Sequence, residues 1–289
     1  MRGVLAGVAI GLAIVALGVV AGAWWLDRRV QSAIARTYDV ALVDIAVPDD
    51  SAAIGEGERF AWLHGCHSCH GAQLQGRVFV DDPRVMRVVT PNIPEVIAAY
   101  SDAELARLIR HGVRRDGTGV LAMPVAASRE MSDAVAGRLI AHLRRVPRTP
   151  SMLPSTRLHL LGKVAVLTGE LLPEAARLDH DMPRLGNRAD TSRAARGEYL
   201  ARSICGECHG PTLHGALEAP PLVRAAGYTA SDFLSLLLDG RSRDGRDLPT
   251  MGRTARERFV RFTNDEIAMI HEYLMRMPTT PAASAAEPR

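Results

Sequence analysis

Aromatic residues are scarce in this 289-residue chain, at 4%. Lysine is scarcer: Lys163 is the only one, so arginine carries almost all of the positive charge. Acidic and basic side chains nearly cancel to a net +3, and no block of like charge occurs. A nucleic-acid partner is excluded on that ground, although an arginine-based surface still permits docking of an acidic protein. No convincing period-two alternation marks a strand. Cysteine is limited to four residues. Against these shortages, the 47% hydrophobic share is ordinary for a globular protein, and the length leaves room for two domains.

All four cysteines fall in two copies of one pentapeptide, Cys66-His67-Ser68-Cys69-His70 and Cys205-Gly206-Glu207-Cys208-His209. A zinc site built from two C-x-x-C pairs needs them about 15 to 20 residues apart. Here the separation is 139 residues (205 − 66). Structural disulfides or a redox-active C-x-x-C leave unexplained the histidine that follows each second cysteine. C-x-x-C-H is the attachment signature of haem c: two thiols add across the vinyl groups, and the histidine sits under the iron. The pattern therefore predicts two covalently bound haem c groups, on Cys66 and Cys69 and on Cys205 and Cys208, with His70 and His209 as proximal iron ligands. A buried porphyrin also accounts for the aromatic shortage, as does compositional bias.

From Gly3 to Leu26 no charged residue occurs. Twenty-four residues at 1.5 Å rise span about 36 Å, enough for a hydrocarbon core of about 30 Å. Trp24 and Trp25 close the run where an interfacial belt lies, and Arg28 and Arg29 follow. An uncleaved single-pass anchor is expected over residues 1–30. Ala21-Gly22-Ala23 also fits a signal-peptide cleavage site. The two arginines argue against an outward carboxyl side, but haem c is attached outside the bacterial cytoplasm. The body of the chain is therefore assigned to the periplasmic face of the inner membrane.

An internal repeat extends beyond the pentapeptides. His70-Gly71-x-x-Leu74-x-Gly76 matches His209-Gly210-x-x-Leu213-x-Gly215, and Gly112-x-x-Arg115-Asp116-Gly117 matches Gly240-x-x-Arg243-Asp244-Gly245. Seven residues after each aspartate stands a methionine: 116 + 7 gives Met123 and 244 + 7 gives Met251. A lone methionine is usually a core filler, but these two share a repeat position, each within two residues of a proline (Pro124, Pro249) in a Gly-containing loop. They are the expected distal iron ligands. Met86 is the rival in the first half, and His111 is the alternative if one haem is ligated by two histidines.

Helix signals follow the same repeat. A helix is expected over residues 57–65. Ser101-Asp102-Ala103-Glu104 and Thr263-Asn264-Asp265-Glu266 are capping boxes, Ser231 or Thr229 opens another helix, and Gly112 and Gly240 are stops. Stretches 77–100 and 216–228 read as proline-punctuated loops, the first eleven residues longer (42 against 31, from 112 − 70 and 240 − 209). The expected organisation is an anchor (1–30), a first haem domain (50–148), a connector (149–190), a second haem domain (191–278) and a disordered tail (279–289). The connector's apolar part, Leu158 to Leu172, is too short and interrupted to cross a membrane.

Both halves resemble class I cytochrome c domains: a helix into C-x-x-C-H, a middle helix, a methionine loop and a closing helix. The order Thr90-Pro91-Asn92-Ile93, the Ser101 helix, Gly112-Val113-Arg114 and Met123-Pro124 is similar to that of the membrane-anchored cytochrome c subunits of bacterial alcohol, aldehyde and gluconate dehydrogenases. The resemblance covers about residues 53–278 and implies an all-α fold of two tandem class I domains behind a transmembrane helix. It also implies that a proline carbonyl orients each proximal histidine, with Pro221 suited to His209 and Pro91 to His70. The implied function is electron transfer, without catalytic residues, from a dehydrogenase or quinol-oxidising donor to a downstream cytochrome or terminal oxidase. The alternative is a dihaem peroxidase-like enzyme with one open haem side.

Overall fold

The structure is a computed structural model that describes residues 2–216 and 219–278. The proline-containing tail expected to be disordered, from Thr279 onward, lies outside the described residues. The chain opens with α1 (Arg2–Ile34), which is exposed along its apolar run and is long and apolar enough to cross a membrane. Arg28 and Arg29 stack over Trp24 and Trp25 at 5.0 and 5.5 Å, setting cation–π pairs where the apolar run ends.

Beyond α1 come α2 (Ser51–Leu63), α3 (Cys66–His70), strands β1 (Arg77–Asp82) and β2 (Met86–Thr90), and helices α4 (Ile93–Val96), α5 (Asp102–His111), α6 (Val125–Ser128) and α7 (Asp133–Arg145). A link of β3 (Arg157–Leu158) and α8 (Leu160–Leu167) leads to α9 (Arg193–Leu200), α10 (Gly206–His209), α11 (Ala230–Asp239), α12 (Pro249–Glu257) and α13 (Asn264–Met275). Capping boxes open α5 at Ser101, α11 at Thr229 and α13 at Thr263, each with both reciprocal hydrogen bonds. Of the two candidate starts for α11, Thr229 is the cap. The first helix begins earlier than expected because the Asp50 carboxylate accepts from Ala53 N.

The repeat visible in the sequence is also a repeat of backbone geometry. In the first half α2 crosses α7, and in the second α9 crosses α13. Both crossings turn on one glycine: a Cβ on Gly57 would lie 2.0 Å from Arg138 O, and one on Gly197 would lie 2.2 Å from Met269 O. Arg138 and Met269 each precede the closing proline by nine residues (147 − 138 and 278 − 269). Backbones approach this closely only where no side chain intervenes.

After each pentapeptide the chain makes the same tight turn. Gly76 N donates to His70 O at 2.7 Å, and Gly215 N donates to His209 O at 3.0 Å. Leu74 and Leu213 hold φ of 57° and 63°, a region costly for a side-chain-bearing residue, and both are fully buried. Burial of the leucyl side chain offsets the strain, and the turn delivers each following loop back toward its histidine: Ile93 N donates to Leu74 O and Leu222 N to Leu213 O, both at 2.9 Å.

The expectation of a purely helical body needs correction. Residues 77–90, read as part of a loop, form an antiparallel hairpin that β3 extends into a three-stranded sheet ordered β1-β2-β3. The Asp82 carboxylate accepts from Arg84 N (2.8 Å) and Val85 N (3.3 Å), closing the turn around Pro83. β2 is five residues long, with Met86, Val88 and Thr90 buried and Arg87 and Val89 less so. Such a run is too short to stand out between two prolines. The hairpin falls in the stretch that makes the first half's loop the longer one.

One continuous apolar core runs through both halves, including Phe60, Leu63, Leu139, Leu200, Ile204 and Ile270. Polar ties cross it: Arg59 on α2 pairs with Glu266 on α13 at 2.9 Å, and Arg261 lies over the Trp62 ring at 3.9 Å.

Candidate haem sites

The first pentapeptide is a short helix, α3, and the last four residues of the second form α10; a glycine of positive φ closes each, Gly71 and Gly210. A stretch of π-helix, Ala201–Cys205, carries α9 into the second one, a local widening of the helix common at functional positions. None of the four cysteines is in a disulfide. Burial pushes the Cys66 and Cys205 thiols up to about 12, so neither is a thiolate at neutral pH. That environment disfavours a reactive C-x-x-C pair, which depends on a lowered thiol pKa.

The two motif histidines are held alike. His70 Nδ1 lies 2.9 Å from Pro91 O, and His209 Nδ1 lies 2.7 Å from Pro220 O. A carbonyl only accepts, so Nδ1 carries the proton in each ring and Nε2 keeps its lone pair. Burial lowers both imidazole pKa values, with the carbonyl bonds acting in the opposite sense, and the neutral form is the one that ligates. The expected partner of His70 is in place. That of His209 is displaced by one residue, to Pro220 instead of Pro221, because the amide after Pro221 is committed to Leu213 O.

In the first half, Cys66, Cys69, His70 and Met123 line one apolar cavity of about 300 Å³, the size at which pockets begin to enclose organic groups. Leu105 and Leu139 form part of its wall. Met86 and Met131 line it as well, so three thioethers face the space that sequence spacing allots to one. His111 does not line it. Its Nδ1 donates to His180 Nδ1 at 3.0 Å, while His180 Nε2 donates to Ala175 O at 3.0 Å. His67 stacks on Trp62 at 4.1 Å and bonds Ala72 O, a packing role.

In the second half Cys205 is buried, Cys208 exposed and His209 half-buried. Met251 is half-buried against the common core. It stands in the first turn of α12, where a loop was expected, because Pro249 at the helix start presets the helical φ.

The two pentapeptides are neighbours, which their spacing in the chain does not reveal. The buried Arg258 donates to Leu63 O, just before the first motif, through Nη2 at 2.7 Å and Nε at 3.2 Å. The same Nη2 pairs with Glu207 Oε2, inside the second motif, at 2.5 Å. A Cβ on Gly65 would strike the Arg258 guanidinium at 2.9 Å. Burial and the nearby Arg258 push His64 down to about 3, so no second cation competes at this junction. No local signal marks Arg258: its partner carbonyl is 195 residues away.

No family model matches the chain. Among curated proteins it is similar to the fructose dehydrogenase cytochrome subunit of Gluconobacter japonicus, 23% identical over 258 residues, covering 78% of this chain and 53% of that one. It is also similar to the cytochrome c subunit of the quinone alcohol dehydrogenase of Gluconacetobacter polyoxogenes, 24% identical over 276 residues (81% and 58%). A cbb3-type cytochrome c oxidase subunit of Azospirillum is 23% identical over 190 residues (63% and 50%). The chain thus spans between half and three fifths of the length of these relatives. It resembles cytochrome c subunits of dehydrogenases, and electron transfer by a protein carrying covalent haem c is what that resemblance supports. The apolar α1 fits a single-pass membrane anchor.

Proposed function

We propose that this chain is a dihaem c-type cytochrome anchored in the bacterial inner membrane by α1, with its body in the periplasm. It passes electrons from a dehydrogenase or quinol-oxidising donor to a downstream cytochrome or terminal oxidase. The observation that carries this reading is the shared orientation of His70 and His209 by proline carbonyls at 2.9 and 2.7 Å. Iron-ligating histidines are commonly fixed by such a bond on the far ring nitrogen.

Bound haem supplies a one-electron iron centre at each motif. Cys66 and Cys69 would tether one group and Cys205 and Cys208 the other, while His70 and His209, each with Nδ1 on a proline carbonyl, would offer Nε2 to the iron. Met123, and Met251 by its repeat position, would be the thioether ligands, and a thioether would favour the ferrous state. The wall around His70 is mostly apolar. With histidine and methionine both committed to iron, neither centre would leave a place for substrate, and the residues would serve electron transfer. The Arg258 bridge, which holds the two motifs side by side, supports a relay within one chain.

A redox titration of the purified protein with visible and near-infrared spectra tests the reading. Two low-spin haem c groups per chain, each with a methionine-to-ferric-iron charge-transfer band, are expected. A single haem, or carbon monoxide binding to either reduced centre, overturns it.

A further inference from the structure

α8 is an eight-residue helix, Leu-Leu-Gly-Lys-Val-Ala-Val-Leu, with its own buried and exposed faces. At 100° per residue, Leu160, Leu161, Val164 and Leu167 fall within an arc of about 120°. All four are exposed, at 65%, 53%, 45% and 42%. The opposite arc holds Gly162 and Val166, both buried. Gly162 lies so close to the hairpin that a Cβ there would sit 2.1 Å from Val85 O, and Leu161 N and His159 N donate to Arg84 O and Val85 O. The apolar face is thus fixed to the body by its back.

Its height is set by the anchor. α8 packs against α1, and Lys163, the chain's single lysine, pairs with Asp27. Asp27 directly follows Leu26, the last residue of the uncharged run, so the pair stands within about 1.5 Å of its end along the helix axis. Trp24 and Trp25, the residues suited to the headgroup region, lie in the preceding turn. A fixed, exposed, four-residue apolar face thus stands beside this level, on a helix packed against α1.

We infer that α8 is a second membrane contact: Leu160, Leu161, Val164 and Leu167 lie in the headgroup–acyl boundary of the bilayer that α1 crosses, and so orient the body against the membrane. Burial of the four side chains in the boundary layer removes their apolar surface from water, as for any interfacial helix. The inference rests on the reading of α1 as a spanning helix.

The test uses the full-length protein in lipid vesicles, with Leu161→Trp in a Trp24→Phe, Trp25→Phe background and shallow doxyl-labelled phospholipid. The same background without Leu161→Trp supplies the contribution of Trp62, which is subtracted. Expected from the introduced indole is blue-shifted emission that falls about twofold relative to unlabelled vesicles, as for a side chain at the boundary. Red-shifted, unquenched emission from protein that resists carbonate extraction overturns the inference and leaves the spanning reading intact. Blue-shifted emission that doxyl lipid does not quench means that protein covers the face, a second copy included, and also overturns it. Release by carbonate overturns both. As a second variant, Leu161→Asp with Val164→Asp is expected to increase deuterium uptake over residues 158–168 in vesicles while membrane retention persists; unchanged uptake counts against the contact.

Discussion

Arg258 pairs with Glu207 at 2.5 Å while donating to Leu63 O, so one buried guanidinium ties the end of α2 to the interior of the second cysteine motif. Arg258 and Glu207 belong to the second half and Leu63 to the first. Removing one member of a buried pair leaves the other charge uncompensated, at a cost of about 3–5 kcal/mol. Arg258→Gln is expected to destabilise the fold by that amount in a denaturant titration. With two haems bound, it is also expected to lower both midpoint potentials, because a lost cation no longer favours the reduced iron. Glu207→Gln should raise the potentials, and Arg258→Lys should restore most of what Arg258→Gln loses. A potentiometric titration that finds Arg258→Gln unchanged would separate this contact from the redox centres.

The glycine crossings give a stability prediction for each half. Gly57→Ala and Gly197→Ala place a methyl group 2.0 and 2.2 Å from a carbonyl oxygen of the partner helix. The backbones must separate, which costs about 1–3 kcal/mol or more for overpacking. Urea unfolding followed by circular dichroism should show both variants weakened, whereas Gly55→Ala, whose Cβ would meet nothing within 4 Å, should be neutral or stabilising.

Three methionines face the first cavity, and the repeat singles out Met123. Met123→Ala is expected to remove one near-infrared charge-transfer band and to lower one potential. Met86→Ala and Met131→Ala should keep the band and lose stability only, by about 2–5 kcal/mol for a buried methionine. Loss of the band in Met86→Ala alone would reassign the ligand.

His111 predicts a pH dependence. Burial, His180, and the cations of Arg129, Arg184 and Arg110 push its pKa down to about 4 from the ordinary 6.5. Its folded pKa lies below the unfolded one, so the unfolded state binds the extra proton between these two values, and stability falls as pH drops from about 6.5 to 4. The full effect is roughly 3 kcal/mol at 1.36 kcal/mol per unit. In His111→Asn that part of the acid loss should disappear, and a denaturation series across the window checks it.

The residues proposed to hold haem are legible locally. C-x-x-C-H, the matched methionines and the capping boxes are short-range patterns, each set by covalent spacing or by one turn of helix, so Ser101, Thr229 and Thr263 sit where their residue types place them. The hairpin over 77–90 is not legible, because five residues between prolines carry too little alternation to separate a strand from a loop. Pro220 in place of Pro221 escapes for a related reason: one residue of loop register is decided by which amide reaches Leu213 O.

Residue types and their spacing are enough to define the set of groups, two motifs with histidine and methionine at repeated intervals behind one apolar run. Where those groups lie relative to one another is a property of the folded chain alone. Arg258 reaches Leu63 across 195 residues, and Lys163 reaches Asp27 across 136. Such contacts arise from burial of a common core and from helix crossings that glycine permits, and no local pattern encodes a distance between segments that meet only when the chain is folded.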